Sequence, residues 1–263
     1  MAKFQCNVIS YTLKRTVDIT VVVPTPTIPE SMGMGLAEGE KPSHQPKAKY
    51  PVLYLLHGVG NGHMQWTGYT KAELYAEEHQ IILVCISGEN KFYVDMKGDD
   101  FFTFVSEELP DFVTGLFPAS TKPEDTYIAG LSMGGYGTFV HALNHPERYH
   151  ACGGFSAAVD DFAGVTGETR TPRGVKYEPF LLVDKIRQEG GNFPKIYLAC
   201  GKKDHWFPKD EKFRDALCEA GADVTWDELD DYGHEWRFWD IEIEKFLKWL
   251  PRTDVYAGVT RKV

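Results

Sequence analysis

Nowhere does the sequence hold an apolar run near the roughly 18–20 residues that a membrane-spanning helix needs, so no membrane span is expected. No run of five or more Lys/Arg occurs, and 28 Lys+Arg face 38 Asp+Glu for a formal charge of −10. Binding a phosphate backbone takes a surplus of cations, so nucleic acid is not an expected partner. The cysteines (Cys6, Cys85, Cys152, Cys200 and Cys218) are odd in number and form no CxxC, which argues against a disulfide framework. Three of them lie in apolar runs, where a free thiol packs as a small hydrophobe. Met1-Ala2-Lys3-Phe4-Gln5-Cys6-Asn7 turns polar too soon for a secretory leader. The expected compartment is therefore reducing, the cytoplasm. Walker and dinucleotide fingerprints are missing as well. The glycines of Gly58-Val59-Gly60-Asn61-Gly62 break the G-x-G-x-x-G pattern because residue 63 is His. His141 and His145 stand four apart but lack the Glu of H-E-x-x-H, and Pro146 follows at once. Helix-surface or capping roles are expected for them, and no metal.

What remains is an ordinary globular composition: 263 residues, 43% hydrophobic, 25% charged and 13% aromatic. Residues 4–13 and 16–24 alternate and are β-branched, predicting a hairpin with its turn at Lys14-Arg15. Pro24 to Lys49 is rich in Pro, Gly and charge and reads as an exposed loop. Short apolar runs follow at Tyr50–Leu56, Ile81–Ile86, Thr126–Ala129, Ala151–Phe155, Lys195–Cys200 and Val224–Leu229. Helical patterns separate them at about 70–79, 100–116, 134–145, 179–189, 208–220 and 236–250. In the last, Trp236, Trp239, Ile243, Phe246, Leu247 and Leu250 share one face. Apolar strands alternating with helices predict an α/β fold: an eight-stranded, mostly parallel sheet covered on both faces. One domain over residues 1–263 is the economical reading. The segment 155–194 leaves room for a small lid or none. Glu107-Glu108 reads as a solvated helix face.

The most informative stretch is Thr126-Tyr127-Ile128-Ala129-Gly130-Leu131-Ser132-Met133-Gly134-Gly135. It places Ser132 between a strand and a helix in a G-x-S-x-G turn, the geometry of a nucleophile elbow. A serine hydroxyl needs a base, and the base needs an orienting carboxylate. On an open α/β sheet these come from loops after the C-terminal ends of strands. Asp204 follows strand Lys195–Cys200, and His234 follows strand Val224–Leu229, giving the chain order Ser, Asp, His. His205 is poorly placed to pair with its neighbour Asp204, so His234 is preferred; Asp210, Asp230 and Asp231 remain competing carboxylates. A tetrahedral intermediate needs two donors for its oxyanion, and the amides of Val59 and Met133 are the natural pair. Trp66 and Trp206, just past the oxyanion loop and the acid, are candidates for lining an acyl or alcohol pocket.

These residues carry a resemblance. His57-Gly58, Gly130-Leu131-Ser132-Met133-Gly134-Gly135-Tyr136-Gly137 and Gly233-His234-Glu235-Trp236 resemble the esterase D / tributyrin-esterase branch of the α/β-hydrolases. So do Asp95-Met96, Glu107-Glu108-Leu109-Pro110, Cys200-Gly201 and Phe238-Trp239-Asp240, over about residues 4–250. The resemblance implies the α/β-hydrolase fold, Ser132 as nucleophile, His234 as base, Asp204 as acid and the Val59 and Met133 amides as the oxyanion hole. No cofactor is implied. Relatives include S-formylglutathione hydrolases, short-chain carboxylesterases, acetylxylan and feruloyl esterases, and mycolyltransferases. Gly58-Val59-Gly60-Asn61 stands where S-formylglutathione hydrolases usually carry Gly-Leu-Thr-Cys, which points toward the tributyrin/feruloyl side. The expectation is hydrolysis of small acyl or aryl esters, with a thioesterase or an acyltransferase as the alternatives. A catalytically silent binding protein on the same scaffold is the alternative from another class. Relatives often self-associate, so a homo-oligomer is allowed for.

Overall fold

The structure is a computed structural model and describes residues 1–159 and 175–263. Ala2–Ser10 (β1) and Arg15–Val23 (β2) form the expected antiparallel hairpin, with Cys6 opposite Ile19. The strands that follow are Val52–Leu56 (β3), Ile82–Ile86 (β4), the two-residue ribbon Asp95–Met96 (β5) and Asp99–Asp100 (β6), then Thr126–Leu131 (β7). Ala151–Phe155 (β8), Lys195–Gly201 (β9) and Val224–Leu229 (β10) complete the set. The main sheet has eight strands in the order β1-β2-β4-β3-β7-β8-β9-β10. β2 runs antiparallel to both its neighbours, and every pair from β4 to β10 is parallel. The ribbon β5-β6 is separate and was not expected, because two-residue strands leave no periodic signal.

The β3 pattern shows how the sheet is sandwiched. Val52, Tyr54 and Leu56 enter one core with residues of helices Met133–Asn144, Pro179–Glu189 and Phe207–Glu219. Leu53 and Leu55 enter the other with Trp66, Ala72 and the Phe238, Trp239, Ile243, Phe246 stripe of helix Trp236–Trp249. Alternation on the strand thus meets helical periodicity on both faces. β3 starts at Val52, not Tyr50; Tyr50 instead makes an isolated bridge to Ala119 and stacks on Tyr256 at 4.8 Å.

Three expectations need correction. Phe101 to Leu116 is one helical run, but Phe104–Glu108 is a π-helical turn within it. Glu108 is buried instead of solvated, on the face it shares with Phe101, Phe104 and Val105. Its carboxylate accepts from Ser10 Oγ (2.7 Å), Tyr11 N (3.0 Å) and Thr12 N (2.9 Å), closing the β1–β2 turn. Burial alone raises its pKa, yet these donors outweigh it and hold the carboxylate below its ordinary value. His141 is completely buried, not at the helix surface; its ring pairs with Ser106 Oγ and Tyr93 O and stacks on Phe102. Desolvation drives its pKa down to about 3, so it is a neutral core residue. The loop after β2 carries a short helix, Ile28–Ser31, capped by a Thr27/Glu30 capping box. It leads into the N-terminal end of β3, away from the loops that follow β3 and β7, and is tied to the C-terminal tail by Tyr256 Oη to Ala48 O at 2.7 Å.

The expectation of a small lid or none in 155–194 falls partly on 160–174, outside the described residues. No helix among the described residues is long and apolar enough to cross a membrane. Cys85, Cys152 and Cys200 are buried free thiols, as their apolar runs suggested.

Candidate active site

The chain leaves β3 leftward to β4 and later returns to the right as β7, so β3/β7 is where the order of strands reverses. Crevices at the C-terminal ends of such strands are where open α/β sheets bind ligands. Two of the singled-out segments sit there: His57-Gly58-Val59-Gly60 after β3 and Ser132 after β7.

Ser132 has φ 52° and ψ −118°, a conformation that costs a non-glycine residue roughly 1–3 kcal/mol. The surroundings enforce it. Ser132 N donates to Phe155 O (3.0 Å), while Ser132 O accepts from Tyr136 N (3.0 Å) and Ala158 N (3.2 Å). The flanking glycines are steric necessities: a Cβ on Gly134 would lie 2.3 Å from Leu56 O, and one on Gly130 would lie 2.4 Å from the Gly134 backbone. Helix and strands therefore close to backbone contact and hold the serine above the sheet.

Asp204 and His234 meet as their chain order suggested. His234 Nδ1 lies 2.8 Å from Asp204 Oδ2, and Asp204 is buried. Burial pushes the Asp204 pKa up, but the His234 hydrogen bond and charge, the Trp206 amide and the Ser156 hydroxyl outweigh it. The carboxylate stays ionised, so it accepts and His234 Nδ1–H donates. That leaves the Nε2 lone pair of His234 as the available base. The competing carboxylates drop out. Asp230 and Asp231 are exposed and paired with Lys202 (2.7 Å) and Lys203 (2.9 Å). Asp210 is completely buried, accepts Ala157 N–H at 2.9 Å, and is pushed by desolvation well above the carboxylate range.

One short segment connects Ser132 to the Asp204–His234 pair. Phe155 and Ala158 hold the Ser132 backbone, and between them Ser156, at φ 49° and fully buried, turns its hydroxyl toward Asp204. Ser156 Oγ also accepts Trp239 Nε1–H at 3.2 Å, and the Trp239 ring meets the His234 ring edge-on at 4.9 Å. Sequence reasoning missed both residues. Trp239 looked only like part of a buried helical stripe; for Ser156, position just past a strand end was the one available signal.

The oxyanion candidates are also adjacent. Met133 is the first residue of its helix, so its amide has no acceptor within that helix. A Cβ on Gly58 would lie 3.4 Å from Ser132 Cβ, which puts the start of the Val59 loop against Ser132. His57 fixes this loop. Gly88 N donates to its Nε2 (2.7 Å), so the ring proton is on Nδ1 and donates to Gly58 O (2.7 Å). Desolvation lowers the His57 pKa to about 4, which keeps the ring neutral and this tautomer in place. Tyr93 Oη donates to His57 O at 2.9 Å. Its buried ring occupies the space that side chains on Gly88 and Gly137 would fill, at 2.4 and 2.5 Å.

The pocket candidates fare differently. Trp66 is 0% exposed, gives its indole N–H to Leu56 O and packs edge-on against Phe155 and Trp236. It is a core residue and not a pocket wall. Trp206 is buried as well, and its clearest part is its backbone N–H, given to Asp204 Oδ1 at 2.9 Å.

The sequence profile of the Esterase family matches residues 40–246. An acetyl esterase of Caldicellulosiruptor saccharolyticus is 29% identical, with 96% of this chain and 99% of that enzyme covered. Among solved structures, the fluorophosphonate-binding serine hydrolase FphF of Staphylococcus aureus superposes with a TM-score of 0.80 at 26% identity, covering 95% of this chain and 98% of that one. The S-formylglutathione hydrolase FrmB of Staphylococcus aureus gives 0.79 at 27%, again covering 95% and 98%.

Proposed function

The chain belongs to the Esterase family and is a serine-type carboxylic ester hydrolase, and from that premise we propose that Ser132, His234 and Asp204 carry the reaction on short-chain acyl esters. The observation that carries this reading is the 2.8 Å His234–Asp204 pair, joined through the 155–158 segment to a serine held at positive φ. Ser132 Oγ attacks the carbonyl carbon while its proton passes to His234 Nε2. The charge on the carbonyl oxygen falls to the Val59 and Met133 amides, and loss of one such donor typically costs about 10²–10³ in rate. His234 then protonates the departing alkoxide as the C–O bond breaks. A water that gives its proton to the same histidine cleaves the acyl-enzyme and restores Ser132.

The acetyl esterase relative, aligned over nearly its whole length, favours acetyl and similarly small acyl groups. The S-formylglutathione hydrolase neighbour favours a second reading, a small thioester in the same site. Initial rates on acetyl, butyryl and feruloyl esters and on S-formylglutathione, measured side by side, decide between them. The proposal expects the highest kcat/KM on acetyl or butyryl oxygen esters and loss of about 10³-fold or more in Ser132→Ala. Far faster turnover of the glutathione thioester than of every oxygen ester would reverse the substrate assignment.

A further inference from the structure

We propose that Asp204, His205 and His234 form a chelating site for a divalent transition-metal ion of the Zn²⁺ class, and that occupancy switches the hydrolase off. The inference rests on the triad reading above, since it assigns the inhibition to capture of the base.

One donor atom from each of the three residues lies within 4.8 Å of the other two. His234 Nδ1 lies 2.8 Å from Asp204 Oδ2, and His205 Nδ1 lies 3.4 Å from Asp204 Oδ1. Both imidazole nitrogens thus converge on one carboxylate, with the two rings 5.0 Å apart. Ligands on a tetrahedral zinc at about 2.0–2.1 Å stand roughly 3.3 Å from one another, so small ring rotations suffice. Two neutral imidazoles and one carboxylate suit Zn²⁺ far better than Mg²⁺ or Ca²⁺, which favour all-oxygen shells. The site is also reachable: His205 is 66% exposed at its side chain, while Asp204 beneath is anchored by the Trp206 amide. The fourth zinc position is left for water.

The chemistry of inhibition follows from the tautomer. Without metal, His234 carries its proton on Nδ1 and offers the Nε2 lone pair. A metal on Nδ1 displaces the proton there and binds the Nδ1 lone pair, and the proton moves to Nε2. No proton is gained or lost overall, but Nε2 is now a donor and cannot accept the Ser132 proton. The ion sits behind the imidazole, on the Asp204 side, so substrate still binds. The signature is therefore a fall in kcat at unchanged KM.

The test is a ZnCl₂ titration of initial rates for wild type and His205→Ala, each against its own metal-free rate, with EDTA added at the end. Calorimetric Zn²⁺ binding to Ser132→Ala and to Ser132→Ala/His205→Ala accompanies it. The expected result is EDTA-reversible loss of kcat in wild type, and a requirement for at least about tenfold more Zn²⁺ in His205→Ala. Ser132→Ala should bind one ion, and the double variant should bind at least about tenfold more weakly. Equal sensitivity of wild type and His205→Ala, or no zinc effect on wild type, overturns the proposal. If Ser132→Ala binds zinc through His205 but wild type hydrolyses no ester, the triad reading has failed and the metal site stands.

Discussion

Ser156 is a single hydroxyl with two jobs. It accepts from the indole of Trp239 and helps hold Asp204, the proposed orienting carboxylate, in its charged form. A buried hydrogen bond contributes about 0.5–1.5 kcal/mol net, and each 1.4 kcal/mol is tenfold in rate. Ser156→Ala is therefore expected to lower kcat by up to about tenfold with KM unchanged, because Asp204 and His234 lose their lateral support while the substrate's contacts remain. Steady-state kinetics on an acetyl ester check it, and an unaltered kcat would remove Ser156 from the positioning network. At this scale the sequence was readable where chemistry dictates residue type and spacing. Ser132 announces itself by the glycines around it, and His234 by its place after the last strand. Asp204 could not be separated from Asp210, Asp230 and Asp231 by spacing. The choice depends on burial and partners: two are exposed and salt-bridged to lysines, and Asp210 is fully buried, its pKa pushed well up by desolvation.

The elements succeed or fail as positioning devices by how closely they pack. Helix Met133–Asn144 can rest on β3 and β7 only because residues 130 and 134 lack side chains. Gly134→Ala would drive a Cβ to 2.3 Å from Leu56 O, a backbone atom with nowhere to go. Gly115, in helix Leu109–Leu116, has nothing within 4 Å of its would-be Cβ. Chemical denaturation followed by circular dichroism should find Gly115→Ala neutral or more stable by up to about 1 kcal/mol. The same measurement should find Gly134→Ala destabilised by more than about 2 kcal/mol, or unable to fold. Similar effects of the two substitutions would contradict the packing account. Helix and strand positions were legible to within a few residues because apolar periodicity reports burial of a face. The π turn at Phe104–Glu108 was not, and Glu108 misled by its charge: the donors that let it be buried, Ser10 Oγ and the Tyr11 and Thr12 amides, come from the distant β1–β2 turn. His141 misled for a related reason, since its buried partners, Ser106 Oγ and Tyr93 O, come from elsewhere in the chain.

For the whole molecule, the order of strands gathers chemistry from distant residues. His57 to Gly60, Ser132, Ser156, Asp204 and His234 each follow the C-terminal end of a different parallel strand: β3, β7, β8, β9 and β10. Strand order itself was not legible beyond the fold class, because pairing is decided by tertiary contacts that alternate apolar runs do not encode. Charge played little part: −10 describes the whole chain, whereas the proposed site depends on a single ionised carboxylate hydrogen-bonded to His234. The most direct measurement of the central claim is active-site labelling with a fluorophosphonate, followed by peptide mass spectrometry and residual activity. The Ser132 oxygen should form the P–O bond as fluoride leaves, giving one adduct per chain, on Ser132, with activity lost in proportion and no adduct in Ser132→Ala. An adduct on another residue, or full ester turnover by Ser132→Ala, would contradict the account.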